Sequence, residues 1–461
     1  MPHRLLEARA SAAANDPALH TDEETITYLE LWHDSARWAQ QLQENGVQPT
    51  WRVLVSLDQP RELLAAIFGI WRVGAIPVPF DSNRPANHFT AVVADALVRA
   101  TITEGGVGLL PQDDVQSKPD RWRLVLATTG STGRPKIVTF TGNQLLANAE
   151  STASILRWRA GDVCLTPVSP VFPAVLITCV LSAFHVGASV YLTNQRTPRS
   201  LVNVLLDSRA TSFFAVPYVY EHLILSQALK RLQDAPHLRL CISSSAPTRS
   251  ATANEFFTST GLVLRSMYCS SEAGNCTFND AEDPILAQTS VGRALPGVLV
   301  SVIDELGNQV SPGVHGRIRI SGDLIAERYG VDPDEGAFPE AGISTHDFGF
   351  LDANDFLHLL RRDSDLVNCA GFEVNLAEVT AAIQSHPLVH DVVVRGEKDP
   401  VLTTRIVAEV VSNVSLSAQE LSAYIGNALS GHEVPQVITF VGSIDRNGLG
   451  KVPGVSAGGS K

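Results

Sequence analysis

The sequence predicts an α/β protein: a large N-terminal domain of βαβ-type sheets with a small barrel-like part, then a small α+β C-terminal domain. Three observations carry this. At 461 residues the chain exceeds one ordinary domain. Its first two thirds alternate short buried strands with apolar-faced helices, the order of parallel βαβ units. A charged and polar run at Arg361–Asp365 then precedes about 100 residues of mixed helix and strand pattern, so the domains are placed at 1–361 and 362–461.

The elements follow in order. Thr27-Tyr-Leu-Glu30 reads as a capping box, in which the threonine hydroxyl and the glutamate carboxylate satisfy free backbone N–H groups. The helix it opens carries Leu31, Trp38 and Leu42 on its apolar face and stops at Asn45-Gly46. Val53–Leu57 reads as a buried strand, Arg61–Val73 as an apolar-faced helix, and Ile76–Val78 as a second strand. Strands are expected again at Val163–Pro167, Ser189–Leu192, Ser212–Val216 and Leu238–Ser243, with a helical stretch at Val219–Leu232. From Val291 to Leu360 the pattern changes to short strands between Gly and Pro turns, such as Arg317–Ile320. The last hundred residues read as helix Leu376–His386, strands Val389–Val394 and Thr404–Val411, helix Ala418–Leu429 and strand Val437–Val441. Gly454–Lys461 is Gly/Ser-rich and expected to be disordered.

Composition excludes several function classes. The formal net charge is −13 with no sustained Lys/Arg run, which disfavours nucleic-acid and anionic-membrane binding and points to small-molecule partners. The six cysteines are scattered, without CxxC pairs or neighbouring histidines, so neither a disulfide framework nor a zinc site is expected. The longest apolar stretch, Val175–Phe184, falls far short of the roughly 20 residues of a membrane span. A soluble, cytoplasmic protein is the expectation.

One loop carries the chemistry. Leu124-Val-Leu-Ala-Thr-Thr-Gly-Ser-Thr-Gly-Arg-Pro-Lys136 is a strand running into a Gly/Ser/Thr loop and a lysine. Glycines let backbone N–H groups approach an anion, hydroxyls add donors, and a lysine offsets phosphate charge. Thr128, Thr129, Gly130, Ser131, Thr132, Gly133 and Lys136 are therefore candidate polyphosphate ligands. The Walker A alternative fails, because Pro135 precedes the lysine and Ile137-Val138 follow it. A plain hairpin turn between two strands stays open, since Ile137-Val-Thr-Phe140 also looks extended.

The loop resembles the phosphate-loop signature of the adenylate-forming superfamily, which includes acyl-CoA synthetases, adenylation domains of non-ribosomal peptide synthetases and luciferases. Further motifs of the family follow along the chain. Ser266-Met-Tyr-Cys-Ser-Ser-Glu272 resembles its Tyr-Gly-x-Thr-Glu motif, implying Tyr268 against adenine, Ser271 near the α-phosphate and Glu272 on Mg²⁺. Upstream, Ser244-Ser-Ala-Pro247 stands where the family has Gly-Gly-Ala-Pro, placing Ser245, Ala246 and Pro247 along the adenine pocket. Thr345-His-Asp347 resembles the Thr-Gly-Asp motif, whose aspartate accepts from ribose hydroxyls. Arg362 to Val374 resembles the interdomain motif, implying Arg362 on the ribose or phosphates, Ser364 at a hinge and Gly371 lining a thiol tunnel. Asn447-Gly-Leu-Gly-Lys451 matches the motif of the catalytic lysine. Cys269 and His346 replace glycines usual in the family.

The resemblance implies ATP and Mg²⁺ as cofactors and two half-reactions. A substrate carboxylate attacks the α-phosphorus and pyrophosphate leaves; a mobile C-terminal domain then turns to present a thiol to the acyl-AMP. Lys451, Glu272 and Ser271 are the implied catalytic residues.

The substrate is less legible. Pro167-Val-Ser-Pro-Val-Phe-Pro-Ala-Val-Leu176 lacks the aspartate that amino-acid-activating domains pair with an α-ammonium. Phe172, Phe214, Ser243 and Ser270 are candidate pocket residues for an aryl or other hydrophobic acid, although Phe172 and Phe214 also read as ordinary core. Coenzyme A is the expected acceptor, since no carrier domain follows Lys451. Transfer to a separate carrier protein, transfer to an amine, and adenylation of another oxyanion such as nitrite are the alternatives. A non-catalytic nucleotide-binding regulator ranks last.

Overall fold

The computed structural model describes residues 1–84, 86–111, 122–128, 136–331, 336–362, 365–369, 372–399, 402–412, 415–446 and 452. The Thr27 capping box forms as read: the Thr27 side chain accepts from Glu30 N and the Glu30 carboxylate from Thr27 N, opening the helix Tyr28–Glu44. That helix packs on Pro60–Arg72. The contact is close because position 69 is glycine; a Cβ there would lie 2.7 Å from the Trp38 Cβ.

Among the described residues, four sheets build the large N-terminal region. The largest has nine strands, in the order Arg293–Ala294, Gly274–Phe278, Leu264–Ser270, Leu240–Ser244, Ser212–Ala215, Val163–Thr166, Ser189–Leu192, Pro17–His20 and Thr25–Thr27. The strands from Leu264–Ser270 to Pro17–His20 run parallel. Ser212–Ala215 and Leu240–Ser244 are buried throughout, which is why they read as unbroken apolar or small runs rather than alternating ones. A second sheet pairs Ile76–Pro79, Arg52–Val55 and Val98–Thr103 in parallel, with Gly106–Leu109 antiparallel on its edge. The third is the antiparallel hairpin Trp122–Thr128 and Lys136–Thr141, joined by Arg328–Tyr329. The Gly/Pro-punctuated stretch forms a four-stranded antiparallel sheet of Val298–Ile303, Gly316–Gly322, Ile343–Leu351 and Leu357–Arg362.

The C-terminal part has its own core, with Val367, Val379, Ile383, Val394, Ile406 and Leu421 among its buried residues. Its sheet joins Asp391–Asp399, Thr403–Val411 and Val437–Phe440, flanked by helices Leu376–Gln384 and Ala418–Ile425. The fold is thus mixed α/β with a large N-terminal and a small C-terminal part.

One local reading differs. The helical stretch Val219–Leu232 is two pieces, an α-helix Pro217–Ile224 and a 3₁₀ segment Gln227–Asp234. The break falls where the Ser226 hydroxyl accepts from Ala228 N, a serine preferring the cap to the helix interior. The apolar run Val175–Phe184 is a buried π-helix, Val175–Leu181, passing into the α-helix Ser182–Val186. No described helix is long and apolar enough to cross a membrane.

Candidate active site

Parallel sheets place ligands at the carboxyl ends of strands where the chain reverses its order of addition. After Val163–Thr166 the chain adds Ser189–Leu192 on one side and then Ser212–Ala215 on the other. The carboxyl ends beside that reversal lead into the stretch 167–173 and into Ser243–Pro247. Phe172 is 6% exposed and borders a small cavity of about 40 Å³ with Pro79, Phe80, Arg84, Leu126 and Ala127. Phe214 belongs to the same buried cluster as Phe172, at 1% exposed, but does not line the cavity. Ser243 is buried, and its Oγ accepts from Thr248 Oγ1 at 2.7 Å; the half-buried Ser270 Oγ accepts from Ala273 N at 3.0 Å.

Ser245 has φ +72°, in the left-handed region where the resemblance leads one to expect glycine. Few non-glycine residues adopt this conformation, and it marks the strand end that turns into Ala246-Pro247. Its neighbour Ser244 donates to the Met267 carbonyl at 2.8 Å, tying this end to the strand that carries Tyr268.

Tyr268, Asp347 and Arg362 form one network. The Tyr268 hydroxyl donates to Asp347 Oδ2 at 2.6 Å, and Arg362 Nε lies 2.6 Å from Asp347 Oδ1. Asp347 and Arg362 are directly opposite in the register of their antiparallel strands, so the sheet sets the pair. The carboxylate is buried, while Arg362 is half exposed at 53%. Burial and then the Asp347 charge push the Tyr268 phenol well above its ordinary range, keeping it a neutral donor.

Glu272 sits in the turn between Leu264–Ser270 and Gly274–Phe278, with Ser271 half-buried beside it. Gly274 makes the turn workable: its φ is +66°, and a Cβ would meet Asn148 Nδ2 at 2.7 Å. The Glu272 carbonyl accepts from Ala326 N at 2.8 Å, and its Oε1 accepts from the Tyr329 hydroxyl at 3.0 Å. Tyr329 pairs across from Val138, two residues after Lys136, and the Lys136 ammonium lies 5.4 Å from the Tyr329 ring centroid. Tyr329 thus links the lysine of the candidate phosphate loop to the candidate metal ligand. Its strand has two residues, too short to show any periodicity, so the sequence offered no signal for it.

Thr128 and Lys136 close the hairpin as directly paired residues. The hairpin and the phosphate-loop readings are therefore compatible, since the loop is what joins its strands. Thr129, Gly130, Ser131, Thr132, Gly133, Ser364, Gly371 and Lys451 lie outside the described residues. Among the described residues no group of three or more His, Cys, Asp or Glu could hold a metal. One carboxylate suits a magnesium ion that takes most of its ligands from water and nucleotide phosphates.

Lys136, Tyr268, Glu272 and Tyr329 all fall within a stretch that a family model matches. The profile described as AMP-binding enzyme matches residues 6–119 and 104–330, and that of the AMP-binding enzyme C-terminal domain matches 378–451. The chain belongs to the AMP-binding, adenylate-forming enzyme family. It is similar to the mitochondrial malonate–CoA ligase ACSF3 of Homo sapiens, 25% identical over 96% of this chain and 90% of that protein. It is also similar to the fatty acid–[acyl-carrier-protein] ligase ScoC of Streptomyces coeruleorubidus, 24% identical over 95% of this chain and 92% of the relative. Among solved structures, ATP-bound MatB from Rhodopseudomonas palustris shares the fold with a TM-score of 0.83, at 24% identity over 98% and 97% of the two chains. The apo form of the same protein superposes less well, with a TM-score of 0.72. The adenylate-forming family activates acids at the expense of ATP, and this member is an ATP-dependent acyl-adenylate-forming ligase.

Proposed function

We propose that this adenylate-forming ligase activates an aryl or other hydrophobic acid and passes the acyl group to coenzyme A. The observation that carries the reading is the pairing of two sets of groups. Tyr268–Asp347–Arg362 offers a ring and a buried carboxylate suited to a nucleoside, and Lys136–Tyr329–Glu272 offers charges suited to its phosphates. Residues 1–361 would hold ATP and acid, and 362–461 would carry the catalytic lysine.

In the first half-reaction a carboxylate oxygen of the acid attacks the α-phosphorus, forming the acyl-AMP and releasing pyrophosphate. Lys136 and the loop 129–135 hold the leaving phosphates, and Asp347 accepts from the ribose hydroxyls. Glu272 would hold a magnesium ion, which would supply positive charge toward the phosphates. Lys451 neutralises charge on the attacking carboxylate and the α-phosphate. Negative charge accumulates on oxygens that already bear it, so positioning and electrostatics do the catalysis. The apolar wall at Val171 and Phe172 favours a hydrophobic acid, and admitting one requires the small cavity there to widen. A separate carrier protein is the second acceptor to consider, because ScoC is named for that transfer.

ATP–pyrophosphate exchange over benzoate, anthranilate, octanoate, malonate and nitrite tests the reading. Strongest exchange with an aromatic or long-chain acid, followed by thioester formation with coenzyme A, supports it. Exchange with malonate or nitrite alone overturns the substrate class, and ATP binding without any exchange overturns the activity.

A further inference from the structure

An arginine of the C-terminal part, Arg446, meets Tyr218 of the large N-terminal part. Arg446 follows the strand Val437–Phe440, and Asp391 grips its guanidinium with both oxygens, at 2.6 Å from Nη2 to Oδ1 and 3.2 Å from Nε to Oδ2. The same guanidinium stands 5.4 Å from the ring centroid of Tyr218. Tyr218 belongs to the helix Pro217–Ile224, which begins two residues after Ala215 ends its strand beside the crevice. Its ring packs on His222 at 4.1 Å between centroids.

This arrangement is built rather than incidental. The Arg446 and Asp391 side chains are mostly buried, at 18% and 24% exposure, and the bidentate grip fixes the direction of the guanidinium plane. Burial and then the Asp391 charge push the Tyr218 phenol upward, so the ring meets the cation as a neutral π-face. Burial also holds the His222 imidazole below its usual range, which keeps a second positive charge away from Arg446 near neutral pH.

Arg446 lies five residues before Lys451. Even fully extended, five residues span only about 17 Å, so the chain itself tethers the lysine closely to Arg446. The chain also superposes better on the ATP-bound form of MatB than on its apo form. We propose that Tyr218 is a positioning residue for the first half-reaction: it receives Arg446 and so keeps the C-terminal part docked on the large N-terminal part while the acyl-AMP forms. The inference rests on Lys451 being the adenylating lysine. A cation–π contact on a preformed bidentate pair is weak enough to release when the small domain turns for the second step.

The test uses Tyr218→Leu and Arg446→Met, singly and together, with the best acid of the panel above. Pyrophosphate exchange reads the first half-reaction. Thioester formation from added acyl-AMP reads the second, with coenzyme A, or with N-acetylcysteamine if coenzyme A is not taken. Each single variant is expected to lose about tenfold in exchange, with the acid KM and the thioester step little changed. The double variant should be no worse than the poorer single one. Tyr218→Phe, which keeps the ring, should restore exchange and show that folding is intact. Equal loss in both half-reactions, loss in the thioester step alone, or additive losses in the double variant overturn the proposal. Lys451→Ala separates the two ideas. If it abolishes exchange while the Tyr218 and Arg446 variants do not, the positioning role fails and the lysine reading stands. If Lys451→Ala leaves exchange intact, the lysine reading itself fails.

Discussion

Tyr329 donates its hydroxyl to Glu272 at 3.0 Å while the Lys136 ammonium faces its ring at 5.4 Å. One side chain thus contacts both the carboxylate suited to a metal and the lysine of the proposed phosphate loop. A two-residue strand holds it in place, with Glu327 N donating to Thr139 O and Gly330 N to Ile137 O.

Tyr329→Phe removes this hydroxyl and keeps the ring. Hydrogen bonds to charged groups contribute roughly 1.5–3 kcal/mol, so exchange should fall about tenfold. The half-buried site exempts the fold from most of that loss. Mn²⁺ affinity of the ATP complex, followed by electron paramagnetic resonance, should weaken in parallel. Unchanged Mn²⁺ affinity would show that Tyr329 does not orient Glu272 for the metal.

Asp347→Asn leaves Tyr268 and Arg362 facing a neutral group that can also donate. Removing one partner of a buried ion pair can cost several kcal/mol, but Arg362 is half exposed, so a stability loss of about 1–2 kcal/mol is expected. The KM for ATP should rise more than kcat falls, because the proposed ribose contact would be made in the ground state as well. Denaturant titration and steady-state kinetics measure the two effects; a kcat loss with normal KM would contradict the ribose role.

Ser245→Gly relieves a serine held at φ +72°. A gain of about 1 kcal/mol in stability is expected from the lifted steric cost. If the strained turn also shapes the adenine pocket, ATP affinity by calorimetry should weaken as the loop gains freedom. A variant no more stable than the parent would mean that the glycine's unfolded-state entropy offsets the relief.

Lys451→Ala should abolish acyl-AMP formation yet leave thioester formation from added acyl-AMP nearly intact. Rapid-quench assays of each half-reaction check this. Equal loss of both would assign the lysine a different task.

Much of the fold was legible because local chemistry and tertiary packing agree. The capping box at Thr27 and the buried runs at Ser212 and Leu240 depend on near neighbours and on strand burial, and both leave a pattern in the chain. Val219–Leu232 misled because its apolar spacing continues across Ser226, whose hydroxyl caps a new segment instead. The π-helix at Val175–Leu181 has no periodicity of its own in an all-apolar run.

By itself the sequence determined the α/β class, the Gly/Ser/Thr loop and the order of motifs ending at Lys451, because each is carried by residues close together in the chain. Only the tertiary structure decided that Asp347 and Arg362 are cross-strand partners, that Tyr329 stands between Lys136 and Glu272, and that Arg446 meets Tyr218. Those contacts join residues from 15 to more than 200 positions apart, and strand register and domain placement, not local sequence, set the distances between them.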